Sequence, residues 1–415
     1  MKHILLAWEL GGGFGHLDRM KTLAACLLND GYQVTVATCD LIRTQNYFSS
    51  LPVHCIQSPL CNISFPHLAQ TPAYVHILYN AGYGDSGTLQ FLISGWKQLF
   101  NDIHPDILIA DHAPTALLVA RDFNIPRINF GDGFTCPPPS KPLPFLSQTA
   151  DREQVGVDEE LVLQYCNRAL YQEGLSPLSF LGELYQVDET FLLTVPELDH
   201  LGKRYQVHYC GGLPAEKKGC MPIWPVAYGR PRVFVYLQQF DELGLVLDLL
   251  ARSSIEALVY IEGLPPSLQC AYQYYEHLRF SDQPVNVHSV LMDADLVISH
   301  GGHQMMLQTA TAGIPQLHIP VTLEQQLLAF RCSLSGASLY GFADQIEAVL
   351  AECLASLTEK RANADSFSNR VSVYGSNPLG RCLALVNYYA HIRPAQKALE
   401  ETEIWPEYTS PTEGL

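Results

Sequence analysis

The sequence predicts an α/β protein made of two doubly wound, Rossmann-like parallel-sheet halves. Three observations predict it. The chain opens with a strand-like run, His3 to Trp8, followed by the glycine turn Gly11-Gly12-Gly13-Phe14-Gly15-His16. An apolar stripe at Leu17, Met20, Leu23, Ala24, Leu27 and Leu28 then has the spacing of one helix face, and Gln33 to Thr38 reads as a second strand. This is a βαβ unit with a glycine-rich first turn. A second unit of the same kind lies far downstream. Leu296 to Ile298 is a short apolar strand, Ser299 to His303 a glycine turn, Gln304 to Ala312 a helix closed by Gly313, and Gln316 to Ile319 a strand. Between them, Pro196 to Pro231 is rich in glycine and proline and reads as a linker.

The remaining elements follow from the same patterns. Asp106 to Ala110 is a buried strand ending at Asp111, Thr115 to Phe123 a helix, and Pro126 to Phe130 a strand. Gly131 to Ser147 is a proline-rich loop, Asp158 to Glu173 a helix, and Thr190 to Val195 a strand. The second half begins with a strand at Arg232 to Leu237, a helix at Leu243 to Arg252, and strands at Ala257 to Ile261 and Val285 to Val287. A helix starts near Thr322, Ile346 to Ala364 reads as one amphipathic helix, and Gly380 to Ile392 as the last. The expected division is 1–195, linker 196–231, 232–379, a final helix 380–393, and a mobile acidic tail 394–415. Pro52 to Trp96 reads as loops and a helix shaping a cleft.

Composition narrows the function. At 415 residues, 47% hydrophobic and 16% charged, the chain buries large cores. A net charge of −17 argues against nucleic acid and against a basic face on anionic lipid. The 12 cysteines are scattered without a C-x-x-C pair, which fits buried thiols in a reducing cytoplasm and gives no zinc signature. The N-terminal apolar run is too short for a signal peptide, and no run is long enough to span a membrane.

The chemistry sits in the two glycine turns. His16 stands at the mouth of a helix, at the carboxyl end of a parallel strand, where open α/β sheets bind ligands. A neutral imidazole there can take a proton from a hydroxyl. Asp111, at the end of another strand, is its expected partner, with N-capping of the next helix as the competing role; His112 is a weaker alternative base. The turn His300-Gly301-Gly302-His303 opens a helix whose free N–H groups favour a phosphate. Two other motifs carry less. Asp293-Ala294-Asp295 precedes an apolar strand and reads as a strand entry, not a metal site. Gly11-x-Gly13 with Asp40 is only a partial dinucleotide fingerprint, since His16 takes the third glycine position. Aromatics from Phe65 to Trp96 fit core packing better than ligand stacking.

From Ala294 to Arg331 the chain resembles the donor-binding signature of GT-B glycosyltransferases, in particular family 1 and the antibiotic and glucuronosyl-type enzymes. That signature runs A-D-L-V-I-x-H-G-G-x-G-T, then E-A-L-x-x-G-x-P, P, an acidic-Gln pair and A-x-R. The GGGFGH loop also resembles the first loop of the enzyme that adds N-acetylglucosamine to lipid-linked peptidoglycan precursors. The resemblance implies a GT-B architecture, two doubly wound domains facing across a cleft, acceptor in the first and donor in the second. It implies inverting, metal-independent glycosyl transfer with His16 as general base and Asp111 behind it. Gly12, Gly13 and Gly15 form the acceptor-side loop. His300, Gly301, Gly302, His303, Gln304 and Gln308 hold the nucleotide, and Glu324 and Gln325 the sugar hydroxyls. No cofactor is implied beyond a nucleotide-diphosphate sugar, UDP or dTDP, as co-substrate; the acceptor is a hydroxyl on a small or lipid-linked molecule. Three positions depart from the pattern: Gln304 and Met305 replace Gly-Thr, and Gln308 replaces a ribose-binding Glu. These favour, as alternatives, a degenerate binder without turnover; a GT-B type nucleotide-sugar epimerase and a hydride-transfer enzyme are further readings.

Overall fold

The computed structural model describes residues 1–60, 67–214, 218–226, 229–342, 344–375 and 377–392. Two all-parallel sheets account for its strands. The first holds β1 (His3–Trp8), β2 (Gln33–Thr38), β3 (His54–Gln57), β4 (Ile107–Asp111), β5 (Arg127–Gly131), β6 (Glu189–Leu192) and β7 (His208–Tyr209), in the order β3-β2-β1-β4-β5-β6-β7. The second holds β8 (Arg232–Gln238), β9 (Glu256–Glu262), β10 (Leu278–Phe280), β11 (Leu296–Ser299), β12 (Gln316–His318) and β13 (Ser338–Tyr340), in the order β10-β9-β8-β11-β12-β13. In each, the strand order reverses beside the first strand, between β1 and β4 or between β8 and β11. Doubly wound sheets bind ligands at such a switch point.

The apolar strands are buried on both faces, as parallel strands covered by helices must be. In β1, Ile4, Leu6 and Trp8 join one core with Leu17, Met20 and Leu23, while Leu5 and Ala7 join the other with Trp96, Leu108 and Ala110. In β8, Val233, Val235 and Leu237 face one core and Phe234 the other. Register then places the ends. Trp8 pairs with Thr38 on one side and Asp111 on the other. Ser299 pairs with Tyr236 and His318. The two glycine turns therefore leave their sheets at the carboxyl edge, level with the strand ends beside them.

The last helix, Gly380–Asn387 with its continuation to Ile392, returns to the first domain. Cys382, Val386 and Ala390, one helical face at four-residue spacing, enter the core of Leu17 and Met20. Tyr32 donates to Asn387 at 3.1 Å, and Tyr389 donates to Glu189 at 2.9 Å. Among the described residues no helix is long and apolar enough to cross a membrane.

The structure differs from the sequence reading at definite places. The first helix is Phe14–Asn29, so Gly15 lies in its first turn and not in a loop. Val285 to Val287 is not a strand: Val285 makes one bridge to Cys220, and Asn286 caps the helix Val287–Leu291 by accepting from the Ser289 N–H at 2.9 Å. The expected helix Ile346 to Ala364 is two, Ile346–Ala355 and Leu357–Val371, with Ser356 turning its hydroxyl back onto the Glu352 carbonyl at 2.7 Å. The stretch read as a linker contains β7, which extends the first sheet. The acidic tail 394–415 lies outside the described residues.

Candidate active site

The helix Phe14–Asn29 presents His16 and Arg19 three residues apart, hence on one face, toward the end of β4. His16 Nδ1 lies 2.9 Å from Asp111 Oδ1. Arg19 grips the same carboxylate with both arms of its fork, Nε at 2.6 Å from Oδ2 and Nη2 at 2.5 Å from Oδ1. Its third nitrogen donates to Asp132 Oδ2 at 3.0 Å. All four side chains are buried. Burial alone would push Asp111 up; the Arg19 charge, and then His16, outweigh it and hold the carboxyl below its usual range. Arg19 is held charged by Asp111 and Asp132 against its own burial. Two carboxylates against one guanidinium leave a net negative charge behind His16, the sign that stabilises an imidazolium as it forms.

The ring is also fixed from its faces. Trp8 stacks on it at 4.9 Å between centroids, and His112 lies near-parallel to it at 6.3 Å. His16 Nε2 points at Gly11, where an added Cβ would sit 2.8 Å from it and where φ is +86°. Gly13 caps the helix at φ 87°. Gly12, Gly13 and Gly15 all have open space around an added Cβ, so Gly11 is the tight position of this loop and Gly13 is held to glycine by its φ alone. Burial lowers His112 to about 4, its Nε2 pairs with the Tyr74 hydroxyl at 3.1 Å, and its carbonyl anchors the loop through Leu10 N–H at 3.0 Å.

On the second domain, Gly302 caps the helix His303–Thr311 without any side-chain cap, so its first-turn N–H groups face outward from the strand end. Gly301, at φ +83°, makes the bend. His300 is placed differently from expectation. Its Nδ1 donates to the Ile319 carbonyl at 2.7 Å and its Nε2 accepts from the Gln238 N–H at 3.0 Å. Both nitrogens join backbone of neighbouring strands, so the imidazole has no N–H left for a phosphate. Gln304 donates to the Leu213 carbonyl at 3.1 Å, tying the segment after β7 to the helix start. Met305 turns into the core beside Val297 and Ile314. Gln308 lines, with Gln304, His288, Met292, Leu213 and Arg361, a cavity of about 500 Å³. Gln325 accepts from the Val321 and Thr322 N–H groups at 2.9 and 3.2 Å, closing a capping box with Thr322.

Glu324 reaches across to the first domain. Its carboxylate lies 3.9 Å from His200 Nε2, and ligand atoms of Asp132, His200 and Glu324 all fall within 4.8 Å of one another. Burial first, then Asp132, pushes Glu324 up to about 7. The side chain keeps 42% exposure, so water screens part of that repulsion. Burial also lowers His200, and His303, stacked on it at 5.8 Å, is lowered to about 4. Of the residues gathered here, the sequence names His16, Asp111, His303 and Glu324 but not Arg19, Asp132 or His200. Arg19 carried a signal, its i+3 position after His16; the other two carry none.

This geometry is that of a GT-B glycosyltransferase fold, and comparisons with known proteins agree. Residues 259–369 match the model of the glycosyltransferase family 28 C-terminal domain. Among solved structures, the calicheamicin glycosyltransferase CalG4 superposes with a TM-score of 0.69 at 17% identity, covering 95% of this chain and 99% of its own. The glycosyltransferase SnogD from Streptomyces nogalater does so with a TM-score of 0.64 at 17% identity, covering 93% and 99%. The glycosyltransferase VinC, solved in complex with dTDP, gives 0.64 at 15% identity, covering 94% and 99%. A comparison with curated protein sequences found no match. The chain therefore has the two-domain GT-B architecture, and residues 259–369 of its second half match the family 28 C-terminal domain.

Proposed function

We propose that this protein is an inverting glycosyltransferase that moves a sugar from a nucleoside-diphosphate sugar to an acceptor hydroxyl, with His16 as general base and without a metal at the diphosphate. The observation that carries the reading is the His16 Nδ1–Asp111 contact at 2.9 Å, backed by Arg19. Nδ1 has two rival partners, the Asp111 carboxylate as acceptor and Arg19 Nη2 as donor at 2.7 Å; with the ionised Asp111 taking the Nδ1 hydrogen, the Nε2 lone pair is left for the acceptor. The acceptor proton passes to Nε2, its oxygen bonds the anomeric carbon from the face opposite the leaving group, and the carbon–phosphate oxygen bond breaks. The departing diphosphate is neutralised by the uncapped N–H groups of the helix opening at His303.

The donor lies across the Gly301-Gly302 turn, with its nucleoside toward Gln308 and its sugar toward Glu324. dTDP is the favoured nucleotide, because VinC and a spinosyn rhamnosyltransferase of the same fold were solved with it. The eleven described cysteines are all free thiols, which supports a reducing cytoplasm. Calorimetry with dTDP and UDP tests the donor assignment. Micromolar to low-millimolar binding of one of them, weakened at least threefold in Gln308→Ala, is expected; binding of neither contradicts it.

A second reading, a GT-B binder without turnover, is favoured by one observation. Gln304, Met305 and His300 have turned to Leu213, the core and the strand ends, so the phosphate cradle is backbone alone.

A further inference from the structure

We infer that Asp132, His200 and Glu324 form a binding site for a divalent transition metal of the zinc type, bridging the two domains. Their ligand atoms lie within 4.8 Å of one another. Asp132 follows β5, and His200 follows the short turn Pro196–Leu198 ahead of β7, both in the first domain; Glu324 stands in the first turn of the helix Leu323–Ser333 in the second.

The second observation is independent of that clustering. The His200 side chain has no exposure, and neither of its ring nitrogens has a hydrogen-bond partner. His303, stacked on it, also leaves Nε2 without one. A buried polar nitrogen left unpaired is unfavourable, so two facing imidazoles in this state call for a partner. Neutral imidazole nitrogen with carboxylate oxygen is a donor set for zinc and its neighbours, whereas magnesium and calcium prefer oxygen alone.

Charge and geometry agree. Asp111, Asp132 and Glu324 against Arg19 leave a net charge near −2 when ionised, which a dication neutralises. Asp132 Oδ1 accepts the Phe134 and Thr135 N–H groups and Oδ2 accepts Arg19, which leaves a lone pair on Oδ2. Tetrahedral ligands at about 2.1 Å from zinc sit roughly 3.4 Å apart, so the three atoms close by about 1 Å or a little more. Glu324, the exposed member, supplies most of that movement. Since Glu324 also belongs to the proposed sugar-binding set, ion and donor exclude each other; that consequence rests on the transferase reading, while the site itself does not.

The test is calorimetric titration of EDTA-stripped protein with Zn²⁺, for wild type, Glu324→Gln and His200→Gln. One saturable site, weakened at least tenfold by either substitution, is expected. Cobalt loading separates this site from the thiols: a Co²⁺ visible spectrum without a thiolate charge-transfer band, and absent in Glu324→Gln, supports it. Glu324 is partly exposed, so its variant reads binding without threatening the fold. No saturable binding, binding unchanged in both variants, or a cobalt spectrum dominated by thiolate overturns the proposal.

Discussion

Asp111 meets His16 on the Nδ1 side while Arg19 closes over both of its oxygens. One carboxylate thus fixes the imidazole and is itself kept ionised. Asp111→Asn replaces one anionic oxygen with an N–H donor, so Nδ1 must accept and Nε2 carries the proton. The substitution is expected to lower kcat by about 10²–10⁴ while leaving the KM for donor within a few fold. Steady-state kinetics on both parameters check it; a change confined to KM contradicts it.

The loop makes a sharper distinction. Gly11→Ala puts a Cβ 2.8 Å from His16 Nε2 at a φ of +86°, whereas Gly12 has nothing within 4 Å. Gly11→Ala should destabilise the fold by roughly 1–2 kcal/mol and cut activity at least tenfold by displacing the ring. Gly12→Ala should do neither. Denaturant melts and rates on the pair of variants read the difference.

At the donor turn the structure predicts against the motif. Met305→Thr would restore the threonine of the G-x-G-T pattern, but not its function, because Met305 is 8% exposed and packed inward. The substitution should destabilise by about 2–4 kcal/mol and not tighten nucleotide binding. A gain in dTDP affinity measured by calorimetry would show that residue 305 faces the ligand after all.

Glu9 gives a pH signature. Burial pushes its carboxyl up from 4.5 to about 7, partly offset by the N–H groups of Ala116 and Thr115. A raised value means that the folded chain keeps a proton the unfolded chain releases. Stability is therefore fully present below pH 4.5 and declines as pH rises toward 7. Relative to Glu9→Gln, the wild type should lose on the order of 1–3 kcal/mol across that interval. Denaturant melts of both at several pH values check the slope; parallel curves would contradict it.

The strands were legible because parallel strands buried on both faces leave near-continuous apolar runs such as Leu296 to Ile298. The glycine turns were legible for the same local reason. Val285 to Val287 misled because two valines outweigh an asparagine on propensity, although Asn286 three residues before Ser289 is a helix-start signal. His16 and Asp111 could be paired because each stands at a strand end and the resemblance puts an Asp behind the base; the register of Trp8 with Asp111 is what brings them together. Asp132 and His200 could not. They meet Glu324 only through the packing of two domains, across more than a hundred residues of chain, and no local pattern records that. The opposite failure befell His300 and Gln325: their motif positions were plain, yet backbone partners claim His300's ring nitrogens and Gln325's side-chain carbonyl.

Base-assisted sugar transfer at His16 can be read from nucleotide release. Wild type and His16→Ala are incubated with a panel of dTDP-, UDP- and GDP-sugars, with and without EDTA. Slow, EDTA-resistant release from one donor by wild type is expected, reduced about 10²–10⁴-fold in His16→Ala with donor affinity retained. Equal release by both proteins would remove His16 from the chemistry, and donor binding without any release would leave the chain a binder.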